Sequence, residues 1–312
     1  MDVLGIGAID GHREPALREL ADRALEKGRS AAARGRVSQQ IPALGSVDPT
    51  LFGIAVATVD GAVVTAGDST VPFSLQSLTK LFSLCALLRH EPTAWEQVGW
   101  GPSEAGFGSV AELEQHQGRP RNPFVNAGAL VVTDRLVHHA GDAPESVGRL
   151  MQELSGEEVA GDPRVAASEA ASDHRNRAIA HVLTEHGRLL NSVDDVLDHY
   201  FRQCSLTATT TAVARSALFL ADRSSHRGPL DTATIRRVNA VLLTAGMYGA
   251  AGDIAYRVGL PAKSGIGGGV LAVMPGVGAI CAYSPPLDVT GNSVGGIAAI
   301  EEFARLAGWS VF

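Results

Sequence analysis

A serine and a lysine three residues apart have the types and spacing of a nucleophile and its base. They are Ser77 and Lys80, in the segment Phe73-Ser-Leu-Gln-Ser-Leu-Thr-Lys80. At the start of an apolar helix, positions i and i+3 share one face, so a lysine that loses its proton in a dry pocket can accept the serine hydroxyl proton. The same spacing also arises by chance, with Ser77 as a helix cap and Lys80 as a solvated side chain. The chemistry therefore depends on other segments.

A second segment, Lys263-Ser-Gly265, is predicted to be a strand that runs into the glycine-rich turn Ile266-Gly-Gly-Gly269. Serine acyl-transfer enzymes place such a strand across one cleft from S-x-x-K. Lys263 would then add positive charge, and the small residues would let a substrate backbone approach. A flexible strand turn is the alternative. A dinucleotide site is excluded, because G-x-G-x-x-G is incomplete and a strand follows it.

Three polar residues suit a site for an amino acid. Asn126 lies in the turn-forming segment 118–129, and its amide offers both a donor and an acceptor, although a loop asparagine can also satisfy its own backbone. Glu169 and Asn176 are seven residues apart, which is two turns if one helix contains both. A cap at Asp173 would instead leave Glu169 outside that helix, as a solvated loop acid.

Strand signals lie at both ends of the chain, with helices between them. Residues 51–59 and 62–65 are β-prone and meet at Asp60-Gly61, a dipeptide that favours a tight turn. Residues 270–274 and 278–283 predict two buried strands around Pro275-Gly276. Helical patterns cover 14–33, most of 77–246, where Ser192 and Asp231 are predicted helix starts, and 293–306.

This order of elements favours an α+β fold. The N-terminal hairpin would join the C-terminal strands in one antiparallel sheet, with a helical lobe packed beside it. We expect a single domain over residues 1–312, with a sheet lobe at about 35–72 and 247–312 and a helical lobe at about 73–246. Ser77 then lies at the boundary between the lobes, where ligand clefts are common.

Composition excludes several classes of function. A net charge of −7 with both signs interspersed argues against nucleic acid. Residues 1–10 lack a secretory pattern, and the apolar stretch 267–283 is too short and broken to span a membrane. We therefore expect a cytoplasmic protein. Three widely spaced cysteines fit neither disulfides nor a metal site, and the histidines form no ligand motif, so we expect reduced core thiols and no metal or cofactor.

Together these segments resemble a bacterial glutaminase of the serine-dependent, β-lactamase-like family, which also includes the mammalian kidney and liver enzymes. The resemblance runs from about Gly35 to the C-terminus and also rests on Tyr200-Phe-Arg-Gln-Cys-Ser205 and Thr244-Ala-Gly-Met-Tyr248. It implies a β-lactamase/DD-peptidase-like fold and hydrolysis of L-glutamine to L-glutamate and ammonia through an acyl-serine. It also implies a homodimer or homotetramer and no cofactor.

The resemblance implies a role for each matching residue. Ser77 is the nucleophile, Lys80 its general base, and Tyr200 either assists proton transfer or only orders the substrate. The implied substrate contacts are Ser77, Asn126, Glu169, Asn176, Tyr200, Tyr248 and the backbone of Ile266. A carboxylate suits the substrate ammonium, and amides and phenols suit its carboxylate. We expect the backbone N–H groups of Ser77 and Ile266 to form the oxyanion hole.

One position departs from the family pattern. The family usually reads V-A-x-Y-I-P where this chain reads Val37-Ser-Gln-Gln-Ile-Pro42, so Gln40 replaces a tyrosine that faces the active site in relatives. A phenol passes a proton, whereas an amide does not do so readily. Two alternatives therefore stay open: a β-lactamase-like serine hydrolase with another substrate, and a catalytically weak sensor of glutamine or glutamate.

Overall fold

The computed structural model describes residues 13–223 and 228–312. The N-terminal segment 1–10, on which the prediction of no secretory signal depends, lies outside the described residues. The helices and strands of the described part are, in chain order, α1 (Arg13–Ala32), β1 (Gly53–Thr58), β2 (Val63–Gly67), β3 (Phe73–Ser74), α2 (Thr79–His90), α3 (Trp95–Val98), α4 (Val110–Gln115), α5 (Asn126–Ala140), α6 (Ala143–Ser155), β4 (Ala160–Gly161), α7 (Pro163–Ser172), α8 (His174–Glu185), α9 (Val193–Cys204), β5 (Leu206–Ala208), α10 (Thr210–Ser216), α11 (Thr232–Ala245), α12 (Ala251–Arg257), β6 (Ala262–Ser264), β7 (Gly269–Met274), β8 (Gly278–Tyr283) and α13 (Val294–Ala307). Among these helices, none is long and apolar enough to cross a membrane.

The main sheet has five antiparallel strands in the order β2-β1-β8-β7-β6. β1 pairs with β8 from Gly53 opposite Tyr283 to Thr58 opposite Gly278. The N-terminal hairpin therefore joins the C-terminal strands, and the predicted α+β fold is confirmed. The hairpin turn uses Gly61 at φ +99°, a conformation that glycine adopts without strain.

Both faces of the sheet are covered. Successive side chains of β1 point to opposite faces, and each face packs in a different core. Ile54 and Val56 pack with Leu17 of α1 and Phe303 of α13. Ala55 belongs to the second core, which the helical lobe shares. This explains why β1 is apolar at nearly every position rather than at alternate positions.

The helix α2 runs through the centre of the helical lobe. Its residues from Thr79 to Leu88 are all buried, among apolar side chains from α5, α6, α9 and α10. Lys80 is the second residue of α2, so its position in the chain carries it into the interior. The alternative of a solvated lysine is therefore wrong.

A second, small sheet was not predicted from the sequence. It has the order β3-β5-β4, with strands of only two or three residues. Just after β3, the Leu75 N–H donates a 2.8 Å hydrogen bond to the Leu206 carbonyl. The small sheet thus fixes the backbone that leads into Ser77.

Predicted helix boundaries match side-chain caps in the structure. Ser192 Oγ accepts from the Asp195 N–H at the start of α9, and Asp231 accepts from the Thr234 N–H at the start of α11. Asp173 caps α8, so Glu169 and Asn176 lie on successive helices. The cysteines Cys85, Cys204 and Cys281 are buried and free, as predicted.

Candidate active site

Ser77 lies in a single turn of 3₁₀ helix, Gln76–Leu78, immediately before α2. Gln76 has φ +49°, a region that costs a residue other than glycine about 1–3 kcal/mol. Gly265 packs against this turn, and a Cβ at that position would lie 2.5 Å from the Leu75 carbonyl oxygen and 3.2 Å from the Ser77 nitrogen. The Lys-Ser-Gly strand and the serine turn are therefore in direct contact, which only glycine permits.

The Lys80 ammonium is held by oxygen atoms in a dry environment. Its Nζ donates to Asn126 Oδ1 at 2.6 Å and to the Phe124 carbonyl at 3.2 Å, and the residue is 1% exposed. Burial lowers the pKa of Lys80 to about 8, although Cys204 and Glu169 oppose the shift. A lysine with a pKa close to physiological pH is suited to accept a proton from a hydroxyl.

Two asparagines join Lys80 to the start of α8. Asn126, at the first position of α5, donates from Nδ2 to Asn176 Oδ1 at 2.8 Å, and Asn176 Nδ2 donates to Asp173. This series of bonds fixes the orientation of the Asn126 carboxamide and keeps its oxygen on Lys80. The alternative of a loop asparagine that satisfies its own backbone is wrong.

Glu169 lies in α7 and is only 6% exposed. Gln76 hydrogen-bonds to its carboxylate, but Oε2 has no partner among the described residues. Burial, reinforced by the charge of Asp173, raises the pKa of Glu169 to about 8. The alternative of a solvated loop acid is wrong, because this carboxyl group is desolvated and suited to a cationic ligand group.

Tyr248 joins Ser77 to Lys263. Its hydroxyl is hydrogen-bonded to Ser77 and accepts from Lys263 Nζ at 3.0 Å. Burial, together with the charge of Lys80, lowers the pKa of Lys263 well below its usual value. The predicted positive charge of Lys263 is thus disfavoured. The lowered pKa of Lys80 has burial as its chief cause, and not the charge of Lys263. Sequence reasoning did not foresee this contact, although K-S-G after S-x-x-K was a signal for it.

Tyr200 and Cys204 lie one turn apart in α9 and are hydrogen-bonded to each other. Burial raises the pKa of both groups well above their usual values. Tyr200 is therefore a neutral phenol. Cys204 was predicted to be a core thiol, and its contact with Tyr200 was missed, although the spacing within Tyr200-Phe-Arg-Gln-Cys204 was a signal for it.

A cavity of about 380 Å³ brings the predicted site residues together. Its walls include Ser77, Asn126, Glu169, Asn176, Tyr200, Tyr248 and Ile266, and also Gln40, Cys204, Phe107, Arg175 and Thr290. Lys80 is not among the residues that line the cavity, but its ammonium group is hydrogen-bonded to Asn126, which does line it. A larger cleft of about 770 Å³ between α6, α7 and α9 contains none of the predicted residues. The size of a cleft therefore does not identify the chemical site in this protein.

Gln40 stands at the mouth of this cavity. The next residue, Ile41, packs with Leu44 and Val165 in a small apolar cluster against which Ile266 also lies. The Ala43 N–H donates to Ser168 Oγ of α7 at 3.1 Å. The segment is thus anchored immediately after Gln40, whose side chain lines the same cavity as Ser77.

The fold and the site define a class of protein. An antiparallel sheet beside a helical lobe, a buried lysine three residues after a serine, and a K-S-G strand against the serine turn are typical of β-lactamase-like serine hydrolases. Matching solved structures have this fold. A probable glutaminase named ybaS superposes with a TM-score of 0.89 at 36% identity, over 97% of this chain and 99% of the other.

A family model described as Glutaminase matches residues 35–312. The glutaminase of Streptomyces coelicolor is 47% identical over 300 residues, which are 95% of this chain and 98% of the relative. The glutaminase of Shewanella loihica is 42% identical over 304 residues, 95% and 99% of the two chains. The chain belongs to the glutaminase family.

One related structure shows a reacted site. The Bacillus subtilis glutaminase YbgJ was solved as a covalent complex with 5-oxo-L-norleucine, formed by reaction with 6-diazo-5-oxo-L-norleucine. It superposes on this chain with a TM-score of 0.84 at 32% identity and covers 95% of this chain and 99% of its own.

Proposed function

We propose that this glutaminase hydrolyses L-glutamine to L-glutamate and ammonia through a γ-glutamyl ester on Ser77. The observation that carries the proposal is the buried Glu169, which lines the same cavity as Ser77 and has one carboxylate oxygen without a partner among the described residues. A free amino acid brings the ammonium group that such a carboxylate needs. The inhibitor that formed the YbgJ complex keeps the amino acid end of glutamine and has a diazoketone in place of the amide, which supports the same substrate.

In the first half of the proposed reaction, Ser77 Oγ attacks the side-chain amide carbon and Lys80 accepts the hydroxyl proton. The carbonyl oxygen becomes an oxyanion that the Ser77 and Ile266 N–H groups stabilise. The carbon–nitrogen bond then breaks, and the proton on Lys80 passes to the leaving nitrogen to release ammonia. The Tyr248 hydroxyl, which is hydrogen-bonded to Ser77, orients Oγ for these proton transfers.

In the second half, water attacks the ester carbon. Lys80, neutral again, accepts a proton from this water, and the same N–H groups stabilise the second oxyanion. The ester bond breaks, the proton returns to Ser77 Oγ, and glutamate leaves. The hydroxyl of Tyr200 and the amides of Asn126 and Asn176 bind the substrate carboxylate, while Glu169 binds the ammonium throughout.

Ammonia release from L-glutamine tests this function, with L-asparagine and nitrocefin in parallel. Turnover of glutamine is the expected result. Nitrocefin hydrolysis without ammonia release would favour the β-lactamase-like alternative. Glutamine binding in a calorimeter without turnover would instead favour the sensor that Gln40 suggests.

We expect Gln40→Tyr to raise kcat for glutamine by about threefold to tenfold, because a phenol at the cavity mouth can pass a proton to or from the ester during deacylation. Steady-state kinetics measure the effect. Gln39→Tyr is the matched control, since Gln39 is exposed and does not line the cavity. An unchanged or lower kcat in Gln40→Tyr would show that this position does not limit turnover.

Ile266→Val should change kcat by less than about twofold, because the proposed role of Ile266 uses only its backbone and the swap removes a single methylene. The small apolar cluster with Ile41 and Leu44 loses contacts, so the free energy of unfolding should fall by about 0.5–1.5 kcal/mol. Kinetics and urea unfolding measure the two effects. A tenfold loss of kcat would contradict a purely backbone role.

We further propose that residues 1–312 form one catalytic domain, that the chain is cytoplasmic, and that it assembles as a homodimer or homotetramer. The buried free thiols suit a reducing compartment, and the assembly rests on the resemblance to relatives. Light scattering on the purified protein tests the assembly, and a monomeric mass would contradict it. Cell fractionation tests the location.

A further inference from the structure

A second cleft lies beside the loop that precedes α5, outside the active-site cavity. It has a volume of about 520 Å³ and lies between Trp100 and the segment 115–121. Its titratable lining residues are His116, Arg119 and Arg121, and no carboxylate is among the described residues that line it. The chain as a whole has a net charge of −7, so this positive surface is a local exception.

Trp100 is exposed in a way that the other tryptophans are not. It is 60% exposed, whereas Trp95 and Trp309 are 7% and 2% exposed. The Arg119 guanidinium lies over its ring, 5.9 Å from the centroid. A large aromatic surface beside a cation is a common element of ligand and interface sites.

The charges of the two arginines of the cleft are not neutralised by a carboxylate among the described residues. Within the described part of the chain, neither Arg119 nor Arg121 lies in an ion pair, whereas other arginines such as Arg135 and Arg202 are paired with carboxylates. Arg121 donates one long bond, from Nε to the Pro102 carbonyl at 3.3 Å. A guanidinium has five N–H donors, so both side chains retain donors for a ligand.

The walls of the cleft are tied together by the backbone. The Gly101 N–H donates to the Arg121 carbonyl at 2.8 Å, and Asn122 Nδ2 donates to the Gly101 carbonyl at 2.9 Å. Gly99 has φ +68°, and a Cβ there would lie 2.7 Å from the Arg121 carbonyl oxygen. Trp100 and Arg121 are therefore held in fixed relation, so a ligand would not have to order the site.

We propose that this cleft binds a small molecule with a flat aromatic ring and an oxyanion, either a carboxylate or a phosphate. The ring stacks on Trp100, and the oxyanion accepts hydrogen bonds from Arg119 and Arg121. Planar guanidinium groups bind both oxyanions in a bidentate manner. The combination of ring and charge distinguishes this ligand from inorganic anions and from uncharged aromatic compounds.

Calorimetry with defined probes tests the proposal. Adenosine 5′-monophosphate represents a phosphate source and benzoate a carboxylate source. Adenosine and inorganic phosphate are the two halves of the first probe, and benzamide is the uncharged counterpart of the second. We expect at least one of the two complete probes to bind with a Kd below about 1 mM, about tenfold more tightly than its own matched controls. The probe that binds identifies the oxyanion. Failure of both, or equal binding by inorganic phosphate alone, would overturn the proposal.

Variants locate the bound probe. Arg119→Gln and Arg121→Gln should each weaken its binding about tenfold, whereas Arg149→Gln, a control at an exposed arginine paired with Glu145, should not. Trp100→Ala should weaken binding and Trp100→Phe should largely retain it, because phenylalanine keeps a ring to stack on. Equal loss in the Arg149 control would overturn the assignment to this cleft.

Two further measurements separate this cleft from the active site. A saturating concentration of L-glutamate should not displace the probe, because the two cavities share no lining residue. Iodide, an anion, should quench tryptophan fluorescence more strongly than caesium, and Arg119→Gln should reduce that preference. Displacement by glutamate would overturn the proposal without affecting the glutaminase assignment, and stronger quenching by caesium would contradict the positive field at Trp100.

Discussion

Replacing Ser77 by alanine is expected to lower kcat for L-glutamine by about 10⁴-fold or more. The hydroxyl is the proposed nucleophile, and the alanine side chain has no group that can form the ester. The backbone of the serine turn is held by Gly265 and by the hydrogen bond from Leu75 to Leu206, so the smaller side chain leaves the cavity intact. Glutamine should therefore still bind. Ammonia release and calorimetry on the same preparation measure the two effects.

A neighbouring serine supplies the control for this variant. Ser83 is buried in the same helix as Lys80, and its hydroxyl donates to the Lys80 carbonyl, so Ser83→Ala should retain most of the activity. Intact mass after treatment with 6-diazo-5-oxo-L-norleucine should show an adduct in the parent protein and in Ser83→Ala, but none in Ser77→Ala. Turnover in Ser77→Ala within tenfold of the parent, or an adduct on it, would contradict the assignment of the nucleophile.

Most of the main sheet and the long helices could be predicted because their signals are local. The Asp60-Gly61 turn, the apolar runs that became β7 and β8, and the caps Ser192 and Asp231 each lie within a few residues of the element that they define. The joining of the N-terminal hairpin to the C-terminal strands could be inferred as well, since strands at both ends of a chain with helices between them have few compact arrangements.

The small sheet could not be predicted, because strands of two or three residues carry no periodicity. β3 and β5 become strands only through pairing between positions that are distant in the chain, such as Phe73 opposite Ala208. The positive φ angles of Gln76 and Tyr248 likewise had no glycine or asparagine to signal them. β3 leads into the turn that carries Ser77, Gln76 precedes Ser77 and Tyr248 is hydrogen-bonded to it, so local preference gives way to tertiary contacts around the serine.

Residue types suggested an amino acid site, but their partners required the fold. Glu169 and Asn176 had the spacing of one helix and also a possible cap at Asp173 between them, and the structure shows that this cap divides them between two helices. Asn126 was expected only to contact the substrate, whereas its oxygen also holds Lys80. A sequence shows which groups are available, but desolvation and side-chain orientation, which set the pKa values of Lys80 and Glu169, depend on elements from the whole chain.

Lys80→Met should lower kcat by about 10³-fold, within the range for loss of a general base. In the parent protein kcat should rise with pH and level off above the pKa of Lys80, which burial lowers to about 8, because in the proposed mechanism only the neutral amine accepts the Ser77 proton. The protonated form dominates below that pKa and is inactive. The variant should lose this dependence. Rates from about pH 6 to about pH 9.5 measure both effects.

Glu169 also has a pKa raised to about 8, so kcat/KM would reflect two groups that lose protons together. In the proposed substrate complex, the ion pair with the substrate ammonium keeps the Glu169 carboxylate ionised. The pH dependence of kcat is then expected to report Lys80 alone. Lys27→Met is the control, since Lys27 is exposed on α1, and it should leave the profile unchanged. A parent kcat that is flat across this range, or a Lys80→Met profile that still rises, would require a different base. Tyr248 would then be the candidate, because its hydroxyl is hydrogen-bonded to both Ser77 and Lys263.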